Sequence, residues 1–201
     1  YSTKALGKFG SHAEGRDTEA SGRGSHAEGW YTEASGDYSH AEGTSTKASG
    51  DQSHAEGQNT DASGYASHAE GSSTTASGLY SHAEGYDTNA SGLYSHAEGE
   101  NTNASGYYSH AEGYHTVASN NYEHAQGTYN HNSTNQIFSV GAGNSIKDPD
   151  TQVVTETRRN AISVLAVPNS ETQINTASFF VQNIGGYDGT NPEPGTNDLA
   201  T

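Results

Sequence analysis

Ser81-His82-Ala83-Glu84-Gly85-Tyr86-Asp87-Thr88-Asn89-Ala90-Ser91-Gly92-Leu93-Tyr94 decides the fold, because Ser95-His96-Ala97-Glu98-Gly99 follows at once and starts the same fourteen residues again. The word SHAEG begins at Ser11, Ser25, Ser39, Ser53, Ser67, Ser81, Ser95 and Ser109, and a degenerate EHAQG begins at Glu123. Between these words runs a second one, T-x-A-S-G, from Thr18, Thr32, Thr46, Thr60, Thr74, Thr88 and Thr102, closing as Thr116-Val117-Ala118-Ser119-Asn120. Each unit is therefore five residues, two variable, five, two variable. A fixed period of this length is the signature of a solenoid.

Five residues alternating in side-chain direction make a short strand. A Gly-ended word plus two variable residues makes a tight corner where positive φ is available. Two strands and two corners close one coil, and successive coils stack about 4.8 Å apart through parallel backbone hydrogen bonds, so nine coils give a rod roughly 40 Å long. The Gly and Ser density excludes helix. The expected architecture is all-β: a parallel β-roll, or β-solenoid, of 14-residue coils over residues 1–135.

Composition agrees only once the repeat is seen. Of 201 residues 29% are hydrophobic, 25 are Gly, and Met and Cys are absent, which precludes a conventional core of Leu, Ile and Phe. With a net charge of -16, those figures alone suggest disorder. Eight Lys and Arg against 24 Asp and Glu argue against nucleic acid and anionic membrane as partners. No apolar run approaches the roughly 20 residues that cross a bilayer, and no membrane insertion is expected. Thr3-Lys4-Ala5-Leu6-Gly7 resembles a degenerate repeat, so the chain is expected to be a piece of a longer polypeptide.

Variation between repeats predicts which side chains face inward. The x of T-x-A-S-G holds Glu19, Glu33, Lys47, Asp61, Thr75, Asn89, Asn103 and Val117, a mixture that solvent tolerates. Alternation then sends Thr and Ala of that word inward, to meet Ser and Ala of SHAEG across a narrow core. His12, His26, His40, His54, His68, His82, His96 and His110 face out, with Glu14, Glu28, Glu42, Glu56, Glu70, Glu84, Glu98 and Glu112. Unlike x, these columns do not vary. A stacked Glu column repels itself, whereas His and Glu interleaved from sister chains pair, so this face is expected to be a subunit interface.

A second stripe runs along the corner before SHAEG. Tyr80, Tyr94, Tyr108 and Tyr122 follow one another, with Tyr38 earlier in the column and Tyr65, Leu79, Leu93 and Tyr107 beside them. It reads either as packing between coils or chains, or as a groove in which sugar rings stack on Tyr faces.

The alternation S-x-A-x-G / x-x-A-x-G at this period resembles the head repeats of YadA-type trimeric autotransporter adhesins, over about residues 1–130. The resemblance implies a left-handed roll, a homotrimer about a threefold axis, and binding of a host glycan or surface protein. The SHAEG wording looks more like the variant in phage or prophage tail fibres and gut-bacterial surface proteins, which implies an extracellular place on a bacterial surface or virion. Where the adhesin repeats commonly carry Val and Ile, this chain carries His and Glu. The implied interface is polar, and its assembly is expected to respond to His protonation near pH 6.

From Gln136 the composition changes. Gln136–Val140, Thr151–Val154, Asn160–Val167 and Ala177–Val181 read as short strands, with turns at Asp148-Pro149-Asp150 and Pro168-Asn169-Ser170. FSVGAGNS…RRNAISV resembles the segment that follows SHAEG-type repeats in phage fibre proteins. Residues 136–184 are expected to cap the last coil and help trimerisation, and the Gly, Pro and Asn-rich residues 185–201 to form a loop or linker.

Nine regularly spaced His invite a metal. On a threefold axis, His26, His40, His54, His68, His82, His96 and His110 would each bring three imidazoles together. Such sites stacked every 4.8 Å or so crowd divalent charge, and His–Glu pairing satisfies both groups, so no metal or other cofactor is assigned. His115 and His131 read as surface residues. Catalysis is not expected: Cys is absent, no G-x-S-x-G elbow occurs, and Ser beside His is a structural word rather than an oriented nucleophile. The Ca²⁺-binding solenoid motif is absent, and the Thr column faces inward, away from any lattice-matching role in ice binding. Two readings stand: a trimeric fibre module that forms or projects a receptor-binding surface, and a structural spacer ahead of a receptor-binding or self-cleaving domain elsewhere.

Overall fold

The structure is a computed structural model that describes residues 2–147 and 154–165 and the backbone of the strand Ser178–Val181. The expected architecture is present: an all-β parallel solenoid in which each coil contributes one strand to each of two sheets. The long strand of a coil is His-Ala-Glu-Gly plus the next residue, as in His82–Tyr86 and His96–Glu100. Its register sets identical words side by side, His82 opposite His96, Ala83 opposite Ala97 and Glu84 opposite Glu98. The short strands, from Lys4–Ala5 to Val117–Ala118, form a nine-stranded parallel sheet on the other side.

The two strands are unequal, contrary to the equal words of the sequence. T-x-A-S-G gives only a two-residue strand, such as Thr75–Ala76. The reason is local. The N–H groups of Ser77 and Gly78 both donate to the Ala90 carbonyl, at 3.0 and 3.1 Å, and two successive donors on one acceptor bend the chain out of the ladder.

The corners also differ from expectation. Gly85 has φ 109° inside the long strand, but Gly92 does not lie at positive φ; the left-handed residue of each corner is the second variable one, such as Asp87 (φ 52°) or Tyr94 (φ 57°). Gly92 is needed for another reason. A Cβ there would lie 2.0 Å from the Gly106 carbonyl oxygen of the next coil.

The core follows the inward assignment. Every Ala from Ala20 to Ala125 in the two words is fully buried, and Thr and Ser line the same interior at 0–2% exposure. Ser81 Oγ donates to the Gly78 carbonyl at 2.7 Å, and Ser81 N–H points to the same oxygen at 3.3 Å. Ser thus closes its corner from inside, which accounts for its constancy.

The Thr hydroxyls are less well served. Oγ1 of Thr60, Thr74 and Thr88 is buried without a hydrogen-bond partner, whereas Thr116 Oγ1 donates to the Glu112 carbonyl at 3.1 Å. An unpaired buried hydroxyl is a net cost of about 1–3 kcal/mol. Thr74→Val, which keeps the branched shape, is expected to raise stability by about 1 kcal/mol. Thr116→Val is expected to lower it, and urea melts of the two variants check the opposite signs.

The solenoid runs one strand past residue 135. Gln136–Ala142 pairs in parallel with His124–Thr128, setting Phe138 opposite His124, Val140 opposite Gln126 and Gly141 opposite Gly127 at the same fourteen-residue offset. Asn160–Leu165 then pairs antiparallel with Gln136–Ala142, and Ser178–Val181 pairs with Asn160–Leu165. The open edge of parallel strands is thereby covered, which protects it from pairing with other chains. Asn144–Lys147 and Val154–Thr157 form a separate two-stranded ribbon. The expected turns at residues 148–150 and 168–170 and the linker at 185–201 lie outside the described residues. Among the described residues no helix is long and apolar enough to cross a membrane.

Candidate functional site

Two surface features stand out, both laid down by the coil period. The first is the outer face of the long-strand sheet. His and Glu of the HAEG words are half-buried there, each side chain about one-third exposed in the central coils. Since strands stack in register, the imidazoles form a column: from His26 to His96 successive rings lie parallel within 5° at 4.7–4.8 Å. From His54 onward each ring also reaches diagonally to the carboxylate of the preceding coil. His82 Nε2 lies 3.2 Å from Glu70 Oε1, His96 3.1 Å from Glu84, His110 3.1 Å from Glu98 and His124 3.3 Å from Glu112.

This ladder corrects the reason for expecting an interface. The pairing that the repelling Glu column requires is supplied within one chain, so charge alone does not call for sister chains. At the N-terminal end the pairs form instead inside one coil, His12 with Glu14 at 3.5 Å and His26 with Glu28 at 3.7 Å. Half-exposed pairs of this kind stabilise by no more than about 1 kcal/mol each.

The second feature is the aromatic corner. Tyr80, Tyr94, Tyr108 and Tyr122 stack face to face at 4.9, 5.0 and 5.4 Å, and Tyr65 meets Tyr80 edge-on at 5.3 Å. Leu79 and Tyr107 are exposed beside them, and Leu93 is half-buried. Arg23 lies over the Tyr38 ring, 4.9 Å from its centre.

The opposite corner carries aromatic residues that the sequence reading passed over. Trp30 and Tyr31 sit there with Arg16 over the indole at 5.3 Å. Farther along, His115 stacks on Tyr129 at 4.5 Å, Tyr114 meets Tyr129 edge-on, and Arg158 covers Tyr129 while donating to the His115 carbonyl at 2.9 Å. His115 is therefore not a bare surface residue: it helps fasten residues 154–165 to the last coils. The variable pair before each Thr was the available signal. His131 is exposed, as expected.

The last coil replaces two constant residues together. Glu123 stands in the Ser position and Asn120 in the Gly position. Glu123 Oε2 accepts hydrogen bonds from Asn120 N–H at 2.9 Å and Asn120 Nδ2 at 2.8 Å. Burial pushes the Glu123 carboxyl above its usual range, and the Asn120 and Ser119 donors pull it part of the way back.

Compared with known proteins, the chain matches no protein-family model and is significantly similar to no curated protein.

Proposed function

We propose that this chain is a non-catalytic rod module of a trimeric fibre, an adhesin head or tail-fibre shaft exposed outside the cell on a bacterial surface or virion. The observation that carries the reading is the Tyr ladder. Tyr80, Tyr94, Tyr108 and Tyr122 occupy left-handed backbone (φ 57–63°), yet remain 45–69% exposed. A bulky side chain in that region costs about 1–2 kcal/mol relative to Gly. The coil imposes that φ on whatever residue stands there, Gln52 and Ala66 included, so what sets the ladder apart is four bulky rings kept exposed on consecutive coils, as a ligand-contacting surface would keep them. The His and Glu face stays about one-third exposed in the central coils after its pairs have formed within the chain, and such a flat, unvarying surface suits packing against sister chains. The ligand class that suits the ladder is a glycan, whose sugar rings pack on Tyr faces.

The test begins with sedimentation equilibrium, where a particle of three times the 21.0 kDa chain mass is expected. That particle is then offered to a glycan array with Tyr94 and Tyr108 intact or changed to Ala. Losing two stacking faces is expected to weaken binding on the order of tenfold or more. Unchanged binding by the double variant would remove the ladder as the contact surface, and a monomer would remove the trimer.

A further inference from the structure

The His–Glu ladder brings together more than ion pairs. His40, Glu42 and His54 can each offer one ligand atom such that all three lie within 4.8 Å of one another. The same holds for His54, Glu56 and His68, for His68, Glu70 and His82, for His82, Glu84 and His96, and for His96, Glu98 and His110. Two imidazole nitrogens and one carboxylate oxygen are a ligand set for Zn²⁺ and its neighbours, with a fourth position left for water. Nε2 of His40, His54 and His68 is out of contact with solvent and makes no hydrogen bond. Those of His54 and His68 lie 3.7 and 3.4 Å from Glu42 and Glu56, and those of His82, His96 and His110 share a hydrogen bond with Glu70, Glu84 and Glu98, so a cation would enter between imidazole and carboxylate in place of the shared proton.

We propose that this face binds divalent transition-metal ions of the zinc class, each held by two His from successive coils and the Glu between them. The site is complete within one chain, unlike an axial site built from three chains, so its failure would leave the fibre reading standing. Electrostatics favour it. The Glu column is acidic, and the sequence has no Lys or Arg between Lys47 and Lys147 to compete with a cation. The backbone places the ligands in advance, so ordering them costs little.

One adjustment is needed. Stacked rings 4.7–4.8 Å apart hold their Nε2 atoms too far apart for an ion that wants about 2.0–2.1 Å to each nitrogen, so the imidazoles must tilt toward each other. The rings are not locked parallel: the interplanar angle reaches 15° between His96 and His110.

Neighbouring sets share a His, which limits occupancy. At most three fill at once: His40/Glu42/His54, His68/Glu70/His82 and His96/Glu98/His110. Their ions lie about 10 Å apart, two strand spacings, which eases the crowding of ions on consecutive coils.

The stoichiometry tests the proposal. Calorimetric titration of the 201-residue chain with Zn²⁺ at pH 7.5 is expected to saturate at three ions per chain. Co²⁺ is expected to give the intense visible absorption of low-coordinate nitrogen and oxygen ligation. His54→Gln with His96→Gln leaves only His68/Glu70/His82 and is expected to bind one ion, with far-UV circular dichroism confirming the fold. Glu42→Gln with Glu98→Gln keeps every imidazole and is expected to bind two, because His54/Glu56/His68 and His82/Glu84/His96 then fill. No saturable binding, or three ions still bound by either double variant, would overturn the proposal.

Discussion

Gly64→Ala is expected to destabilise the protein by on the order of 4 kcal/mol, enough to lower the melting temperature by roughly 10 °C. A Cβ on Gly64 would lie 1.9 Å from the Gly78 carbonyl oxygen and 2.6 Å from its carbon. Both are backbone atoms of the next coil. No rotamer relieves the clash, and the coil cannot move away without breaking the bonds from Ser63 and Gly64 to the Ala76 carbonyl, at 3.0 and 3.2 Å. The neighbouring Ser63 is exposed, and Ser63→Ala is expected to change stability by less than about 0.5 kcal/mol. The protein contains its own control. Asn120 occupies the equivalent position where the short-strand sheet ends at Val117–Ala118, with no further short strand stacked above it among the described residues. Thermal melts of the two variants check the contrast; equal stability would mean that coils are not in contact at Gly64.

Much of this architecture was legible because the repeat states each structural requirement many times over. Ala, Ser and Thr recur where the interior is too thin for anything larger, and x varies where the side chain meets water. What escaped reading depended on contacts between coils rather than on the words. The diagonal reach from His82 to Glu70 joins residues twelve apart, and a reading confined to one coil sent the pairing to sister chains. The short strand looked as long as its word because the sharing of the Ala90 carbonyl by Ser77 and Gly78 leaves no trace in composition. Phe138, Ser139 and Val140 hid a tenth long strand by replacing His, Ala and Glu, although Gly141 kept the fourteen-residue spacing from Gly127. Left-handed φ at Tyr94 and Tyr108 was hidden because Gly is the ordinary signal for that conformation.

The site was legible in part. The constancy of His and Glu marked the face, and the Tyr column marked the corner. Sequence could not show that two imidazoles and the carboxylate between them converge within a single chain, because convergence depends on the register of stacked strands and the direction of each side chain. The corner that holds Trp30, Tyr31, Tyr114 and Tyr129 was missed because its residues change from coil to coil.

The fold is built on a fourteen-residue coil, and removing chain in whole and half coils tests that unit most directly. Deleting residues 67–80 removes one SHAEG and one T-x-A-S-G word and returns every later residue to its register. Deleting residues 67–73 removes only the first word and its variable pair, so each later long strand arrives on the short-strand side, with Gly85, at φ 109°, set against Gly64, which is not left-handed. Circular-dichroism melting of the two deletion proteins beside the parent is the measurement. The whole-coil deletion is predicted to melt in one transition close to the parent's, and the half-coil deletion to lose several kcal/mol or split into two transitions as the rod parts at the fault. If both deletions melt alike, or if the whole-coil deletion fails to fold, the stacked coil is not the unit of this structure.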